Sequence, residues 1–176
     1  DWDRHPSRVA ANTRRALDLF DRHGVKATFF TLGWVAKRQP ALVRDIVARG
    51  HELASHGMGH QRVHTLSAGA FRADVRDSKA LLEDISGASV HGYRAPSFSM
   101  DARTPWAHEV LRDCGYSYSS SVFPLKTDHY GMPEAPRFVY RPFGDDGFLE
   151  IPPTTAEVGG RRLPCAGGGY FRLLPV

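Results

Sequence analysis

VKATFFTLG, residues 25–33, is the stretch on which the fold reading turns. It is rich in β-branched and aromatic residues and almost continuously apolar, which predicts a parallel strand buried on both faces. Residues 6–23 before it read as a helix. Pro6 suits a first turn, Val9, Thr13, Ala16, Leu17 and Phe20 recur at helical spacing, and Gly24 is a good stop. On the other side, residues 40–49 repeat the helical pattern through Leu42, Val43, Ile46 and Val47, and Gly50 closes it.

The alternation continues. HELAS, residues 51–55, is the next short strand. Ser67 is placed as the N-cap of a helix carrying Phe71, Val75, Leu82 and Ile85, with Gly87 at its end. SVHGYRAP, residues 89–96, reads as a strand, and Thr104-Pro105 opens a helix through Val110 and Leu111 that Gly115 stops. YSYSSSVF, residues 116–123, is again strand-like. Such alternation predicts βα units around a parallel sheet, either a barrel or a doubly wound sheet. From Lys126 onward the chain is rich in Pro and Gly, with a short strand candidate over residues 148–152 and a closing AGGGYFRLLPV.

The totals fit one domain over residues 1–176 with a proper core. A hydrophobic fraction of 41% and a charged fraction of 24% are ordinary for a globular chain. No apolar run of about 18 residues exists to span a membrane. The formal charge is +4, but Arg8, Arg14, Arg15, Lys37, Arg38, Arg161 and Arg162 are scattered, so no nucleic-acid footprint is indicated. No GxGxxG or P-loop opens a helix. Cys114 and Cys165 sit in no CxxC pair and read as two reduced thiols in or near the core.

Chemistry points to SHGMGH, residues 55–60, directly after a predicted strand, where βα folds place their active sites. His56 and His60 are four apart, and imidazole is a common ligand for divalent transition metals. A zincin HExxH helix is excluded, because Gly57 stands where that motif needs Glu, and Gly57 and Gly59 favour a loop. The alternative is two solvated histidines on a polar loop. YRAPSFS, residues 93–99, places Arg94 and Pro96 at the end of the next predicted strand. An Arg there is costly to desolvate unless a carboxylate pairs with it. It either orients a catalytic Asp or forms a structural salt bridge.

GVKATFFTLGW, GHELASHGMGH and YRAPSFS, in that order and at those distances, resemble the polysaccharide deacetylases of the NodB-homology type, carbohydrate esterase family 4. PSRVAANTRRALDLF, SSSVFPL, YGMPEAPRF and AGGGYFRLLP resemble, more narrowly, the bacterial subgroup found beside exosortase and exopolysaccharide genes. The resemblance implies an α/β fold, a distorted, incomplete (β/α) barrel with parallel strands. It implies hydrolysis of N-acetyl groups on a polysaccharide or oligosaccharide by metal-activated water. The divalent metal would be Zn2+, with Co2+, Ni2+ or Mn2+ as alternatives, held by two histidines and an aspartate. His56 and His60 match the two histidines, and Arg94 matches the arginine that orients the catalytic aspartate. Ser97 falls where the family has a Tyr whose backbone N–H serves the oxyanion. Pro96, Phe123 and Tyr170 are the expected substrate contacts, Phe123 as lining of an acetyl-methyl pocket or else as a core aromatic.

The chain departs from the pattern in several places. Gly57 replaces the usual Ser or Thr, and Ser119 stands where the subgroup offers an Asp. The family's first motif, an Asp pair on the first strand, has no match; Asp1 and Asp3 are candidates only by default. A final catalytic histidine is also unmatched, since His64, His91, His108 and His129 sit in other contexts. The expectation is an internal fragment, impaired on its own, with an open sheet edge beside the strand of residues 25–32. A peptidoglycan deacetylase, an allantoinase-like amide hydrolase and a non-catalytic carbohydrate-binding relative are the other readings. The polymer, the oligomeric state and the compartment stay open, the cytoplasm being favoured by the subgroup's usual lack of an export signal.

Overall fold

The computed structural model describes residues 7–127, 130–144 and 147–165. Helix α1 (Val9–Arg22) leads into strand β1 (Thr28–Thr31), followed by α2 (Gly33–Arg38), α3 (Pro40–Ala48) and β2 (Glu52–Ser55). Then come α4 (Ala68–Ser86), β3 (Gly92–Tyr93), α5 (Ala107–Asp113), β4 (Tyr118–Ser119) and β5 (Leu149–Glu150), and finally β6 (Thr155–Val158) and β7 (Arg161–Pro164). No described helix is long and apolar enough to cross a membrane.

Strands β1 to β5 form one sheet in the order β1-β2-β3-β4-β5, every pair parallel. A doubly wound sheet reverses its strand order at a switch point, whereas this order runs in sequence. It is the wall of an open barrel: the helices touch in series, α3 on α4 and α4 on α5, as one outer layer. Among the described residues the sheet does not close. β1 is at one edge and is exposed or half-buried, not buried on both faces as its composition predicts. Among the described residues it has a neighbour on one side only, so there its apolar residues lack half their cover.

The helix signals translate directly. The Ser67 side chain accepts the Ala70 N–H at 3.2 Å, and Gly87 ends α4 in the left-handed conformation. Phe71, Val75 and Leu82 of α4 are fully buried and pack with Tyr93, Leu111 and Tyr116 in the main core. Phe71 meets Tyr93 edge-on with ring centroids 5.6 Å apart. A smaller cluster of Leu17, Leu42 and Ile46 joins α1 to α3. Both cysteines are free thiols of intermediate exposure.

Two elements were not expected. α2 has no side-chain cap; its first amides, Gly33 N–H and Trp34 N–H, donate to the carbonyls of Gly57 and Met58, both at 2.9 Å. The β6–β7 hairpin pairs antiparallel around Gly159-Gly160, both at positive φ. A Gly-Gly pair between strand-like runs is itself a hairpin signal.

Candidate functional site

The sheet register builds the site. Ser55 pairs with Tyr93, and Tyr93 pairs with Ser119, so His56, Arg94 and Ser120 follow at one level at the carboxyl ends of three neighbouring strands. Their amides extend the ladder: His56 N–H donates to Thr31 O at 3.0 Å, Arg94 N–H to Ser55 O at 2.9 Å, and Ser120 N–H to Tyr93 O at 2.9 Å. Side chains alternate along a strand. Ser55 and Tyr93 therefore face the helix layer, where Ser55 Oγ lies 2.8 Å from Ser78 Oγ of α4. His56, Arg94 and Ser120 face the barrel interior.

His56 Nδ1 lies 2.7 Å from the Arg94 carbonyl oxygen. A carbonyl only accepts, so Nδ1 carries the proton and Nε2 keeps its lone pair. Burial pushes the His56 pKa down to about 4; the bond to the Arg94 carbonyl opposes this, and His60 and Arg94 add repulsion. At neutral pH the ring is therefore uncharged, the form that binds a metal. His60 lies opposite, with ring centroids 5.1 Å apart and planes at 70°. Its φ is +61°, left-handed for a non-glycine residue and costly enough to need support from its surroundings. Both rings line a mostly apolar cavity of about 340 Å³ with Phe30, Leu32, Val35 and Leu42.

Gly57 carries the turn between them at φ +77°. A Cβ there would sit 2.6 Å from Asp74 Oδ2, so the conformation favours glycine and a larger residue would have to displace the Asp74 carboxylate.

Arg94 follows β3 directly and stands beside His56. Among the described residues no carboxylate pairs with it, as orienter of an Asp or otherwise. Its Nε donates to Ser120 O at 3.0 Å, its Nη2 donates to Ser120 Oγ at 2.7 Å, and the guanidinium lies 4.1 Å over the Phe30 ring. Two hydrogen bonds and a ring face replace the salt bridge in covering the buried cation. The sequence reading missed Ser120. Its signal was the strand parity, since Ser120 is one residue past the Tyr118-Ser119 pair.

After Arg94 the chain makes a single 3-10 turn, Pro96–Phe98. Ser97 (φ +55°) and Phe98 (φ +48°) are both left-handed, two consecutive non-glycine residues in a conformation that costs about 1–3 kcal/mol each. Ser97 N–H donates to no group among the described residues. Pro96, an expected substrate contact, is buried, and its ring sets the backbone of the turn. Phe123, expected in an acetyl-methyl pocket or else as a core aromatic, is 2% exposed and stacks against Phe98 at 5.4 Å, where it supports the turn. Tyr170, Asp1, Asp3 and His129 lie outside the described residues.

Other titratable groups fall elsewhere. His64 Nδ1 is bonded to Arg103 at the surface. His108 Nε2 lies 2.9 Å from Glu150, a fully buried carboxylate that also accepts the amides of Ser121 (2.7 Å) and Val122 (2.9 Å). No group of three metal-ligating side chains is assembled among the described residues. Two histidines with one pinned tautomer fit two ligands of a metal, and a third would have to come from outside the described residues.

A family profile for polysaccharide deacetylases matches residues 2–119, and a profile for a domain of unknown function, DUF3473, matches residues 120–176. A chitooligosaccharide deacetylase of Sinorhizobium fredii is 38% identical over 85 residues, 48% of this chain and 40% of that protein. A peptidoglycan deacetylase of Helicobacter pylori is 29% identical over 108 residues, 61% of this chain and 36% of that protein. A solved structure from Mycobacterium smegmatis, described as a polysaccharide deacetylase, superposes with a TM-score of 0.64 at 27% identity over 89% of this chain and 51% of its own. The chain thus spans about 40% of the length of the first of these relatives. With a profile matching more than half of its residues, a sequential parallel sheet and paired histidines at the strand ends, the chain belongs to the polysaccharide deacetylase family.

Proposed function

We propose that this chain is the histidine-bearing part of a single-domain, metal-dependent hydrolase that removes N-acetyl groups from a polysaccharide or oligosaccharide, within exopolysaccharide biosynthesis or modification. The observation that carries the reading is the His56–His60 pair beside Arg94, with the His56 tautomer set by the Arg94 carbonyl. His56, through Nε2, and His60 would hold the metal, Zn2+ or alternatively Co2+, Ni2+ or Mn2+, together with one carboxylate outside the described residues. Bound there, such an ion polarises a carbonyl and lowers the pKa of its water.

The chain's own residues supply the rest. The ring of His56 cannot rotate without losing its 2.7 Å bond, so its lone pair stays aimed. Ser97 N–H, unspent within the described fold, would donate to the oxygen that gains charge as an acetyl carbonyl becomes tetrahedral. Arg94 keeps a fixed positive charge beside His56, held from behind by Ser120. Phe98 and Phe123 stack to keep the strained turn in place. Sheet pairing of β4 with β5, and the contact of His108 with Glu150, run between the two profile-matched regions and support the reading of one domain.

The test uses the protein expressed from its whole reading frame, offered N-acetylglucosamine oligomers with acetate release as readout. Turnover should vanish in His56→Ala, and zinc should fall below one equivalent. Full zinc retention by both His56→Ala and His60→Ala removes the metal reading. Zinc bound without turnover of oligomers, peptidoglycan or allantoin favours the non-catalytic carbohydrate-binding reading, to which the buried Ser119 in place of a carboxylate also belongs.

A further inference from the structure

We infer that Asp74, on the far side of the histidine loop from the cavity, is the positioning residue that sets His60 against His56; the inference rests on the metal-site reading above only for its consequence, not for its geometry. The loop must satisfy four backbone groups once the ladder ends at His56 N–H. The carbonyls of Gly57 and Met58 accept from the first two amides of α2. Gly57 N–H donates to Ser55 Oγ at 3.1 Å, and Ser55 Oγ in turn meets Ser78 Oγ. These three partners are backbone amides or a neutral hydroxyl. Met58 N–H alone is held by a charged group, donating to Asp74 Oδ1 at 3.1 Å and Oδ2 at 3.2 Å.

That carboxylate is unusually placed. Asp74 lies on α4 one turn from Phe71, beside Val75 on the buried stripe of the helix. Among the described residues no cation pairs with it, so the Met58 amide is its one bonded partner. A half-buried carboxylate with no counter-ion is costly, and burial raises its pKa while the Met58 N–H lowers it. It also fills the space over Gly57, where a Cβ would stand 2.6 Å from Oδ2. Gly57 and Asp74 are therefore a matched pair: one leaves the space the other fills. Only Gly59 separates Met58 from His60, whose left-handed backbone has no glycine freedom of its own. Fixing Met58 fixes the direction from which His60 arrives.

The experiment reads the loop without metal first. In isotope-labelled protein, NMR measures the nuclear Overhauser contact between the His56 and His60 rings and the exchange rate of the Met58 amide. Asp74→Ala should lose the ring contact and speed Met58 exchange at least tenfold. Asp74→Asn keeps one acceptor oxygen and should behave as the parent. Should Asp74→Ala not fold, Asp74→Leu fills the volume without an acceptor and takes its place. Zinc titration by calorimetry then follows: about 10- to 100-fold weaker binding in Asp74→Ala, and within about threefold of the parent in Asp74→Asn. A residue serving stability alone would lower the melting temperature and leave ring contact and zinc affinity unmoved at 25 °C. An intact ring contact with parental Met58 exchange in Asp74→Ala overturns the inference. Loss of the ring contact in a protein whose parent binds no zinc upholds the positioning role and sinks the metal reading instead.

Discussion

Lowering the pH from 7 to 4 should charge His56 in the unfolded chain well before it charges in the folded one. The folded pKa is pushed down to about 4 from an ordinary 6.5, chiefly because burial strips water from the imidazolium. Above about pH 6.5 both states hold neutral imidazole, and the group contributes nothing to pH dependence. Below it the unfolded chain takes up a proton that the folded chain refuses, so stability falls until the pH reaches the folded value. A gap of roughly 2.5 pH units at about 1.4 kcal/mol each sets a full loss of about 3.5 kcal/mol, of which about 3 kcal/mol is reached by pH 4. Against a typical stability of about 5–15 kcal/mol, that is a large share for one side chain. The chain has 9 histidines, so the contribution must be isolated by difference. His56→Asn is the control: its amide nitrogen can still donate to the Arg94 carbonyl, but it does not titrate. Urea unfolding at pH 7, 6, 5 and 4 should show the parent losing about 3 kcal/mol more than the variant over that range. Ring NMR should give a midpoint near 4. A midpoint at or above 6.5, or parallel stability curves for the two proteins, would refute the claim that His56 is desolvated and pinned as a neutral ligand.

Gly57→Ala should destabilise the fold by about 2–4 kcal/mol in urea unfolding, because a left-handed φ and a Cβ pressed against Asp74 act together; a cost below 0.5 kcal/mol would deny the close approach. Ser120→Ala removes the 2.7 Å bond to the Arg94 guanidinium and should cost about 1.5–3 kcal/mol, with acetate release reduced and zinc affinity unchanged. If zinc affinity fell with it, Ser120 would belong to the metal site and not to Arg94. Phe71→Ala empties a fully buried position at the centre of the α4 core and should cost about 3–5 kcal/mol by thermal or urea unfolding. A near-neutral result there would contradict the packing described for α4.

Much of the architecture was legible before any coordinates. The helical stripes of α1, α3 and α4, the Ser67 cap and the Gly87 stop are local signals: they depend on residues within a few positions of one another. The apolar runs at residues 25–33 and 51–55 announced strands, and their alternation with helices announced a parallel sheet. The same locality explains the errors. Whether β1 is covered on both faces depends on what lies beside it in the sheet, so composition overstated its burial. α2 escaped notice because its N-terminal amides are capped by carbonyls of Gly57 and Met58, more than twenty residues away.

The candidate site divides along the same line. Sequence alone singled out His56, His60 and Arg94, since two imidazoles and a guanidinium at strand ends are chemical facts of residue type and spacing. It also read Gly57 as a loop residue, a consequence of glycine's poor helix propensity. Only the tertiary structure decided what those groups touch. Parallel pairing brought His56, Arg94 and Ser120 to one level, aimed the His56 Nδ1 proton at the Arg94 carbonyl, and set Arg94 against a serine and a phenyl ring. It buried Phe123 and Pro96, and it set the Asp74 carboxylate under Gly57 across a separation of seventeen residues in sequence. Propensity and periodicity act along the chain, whereas hydrogen bonds and desolvation act through space, and only the folded sheet determines which distant groups share that space.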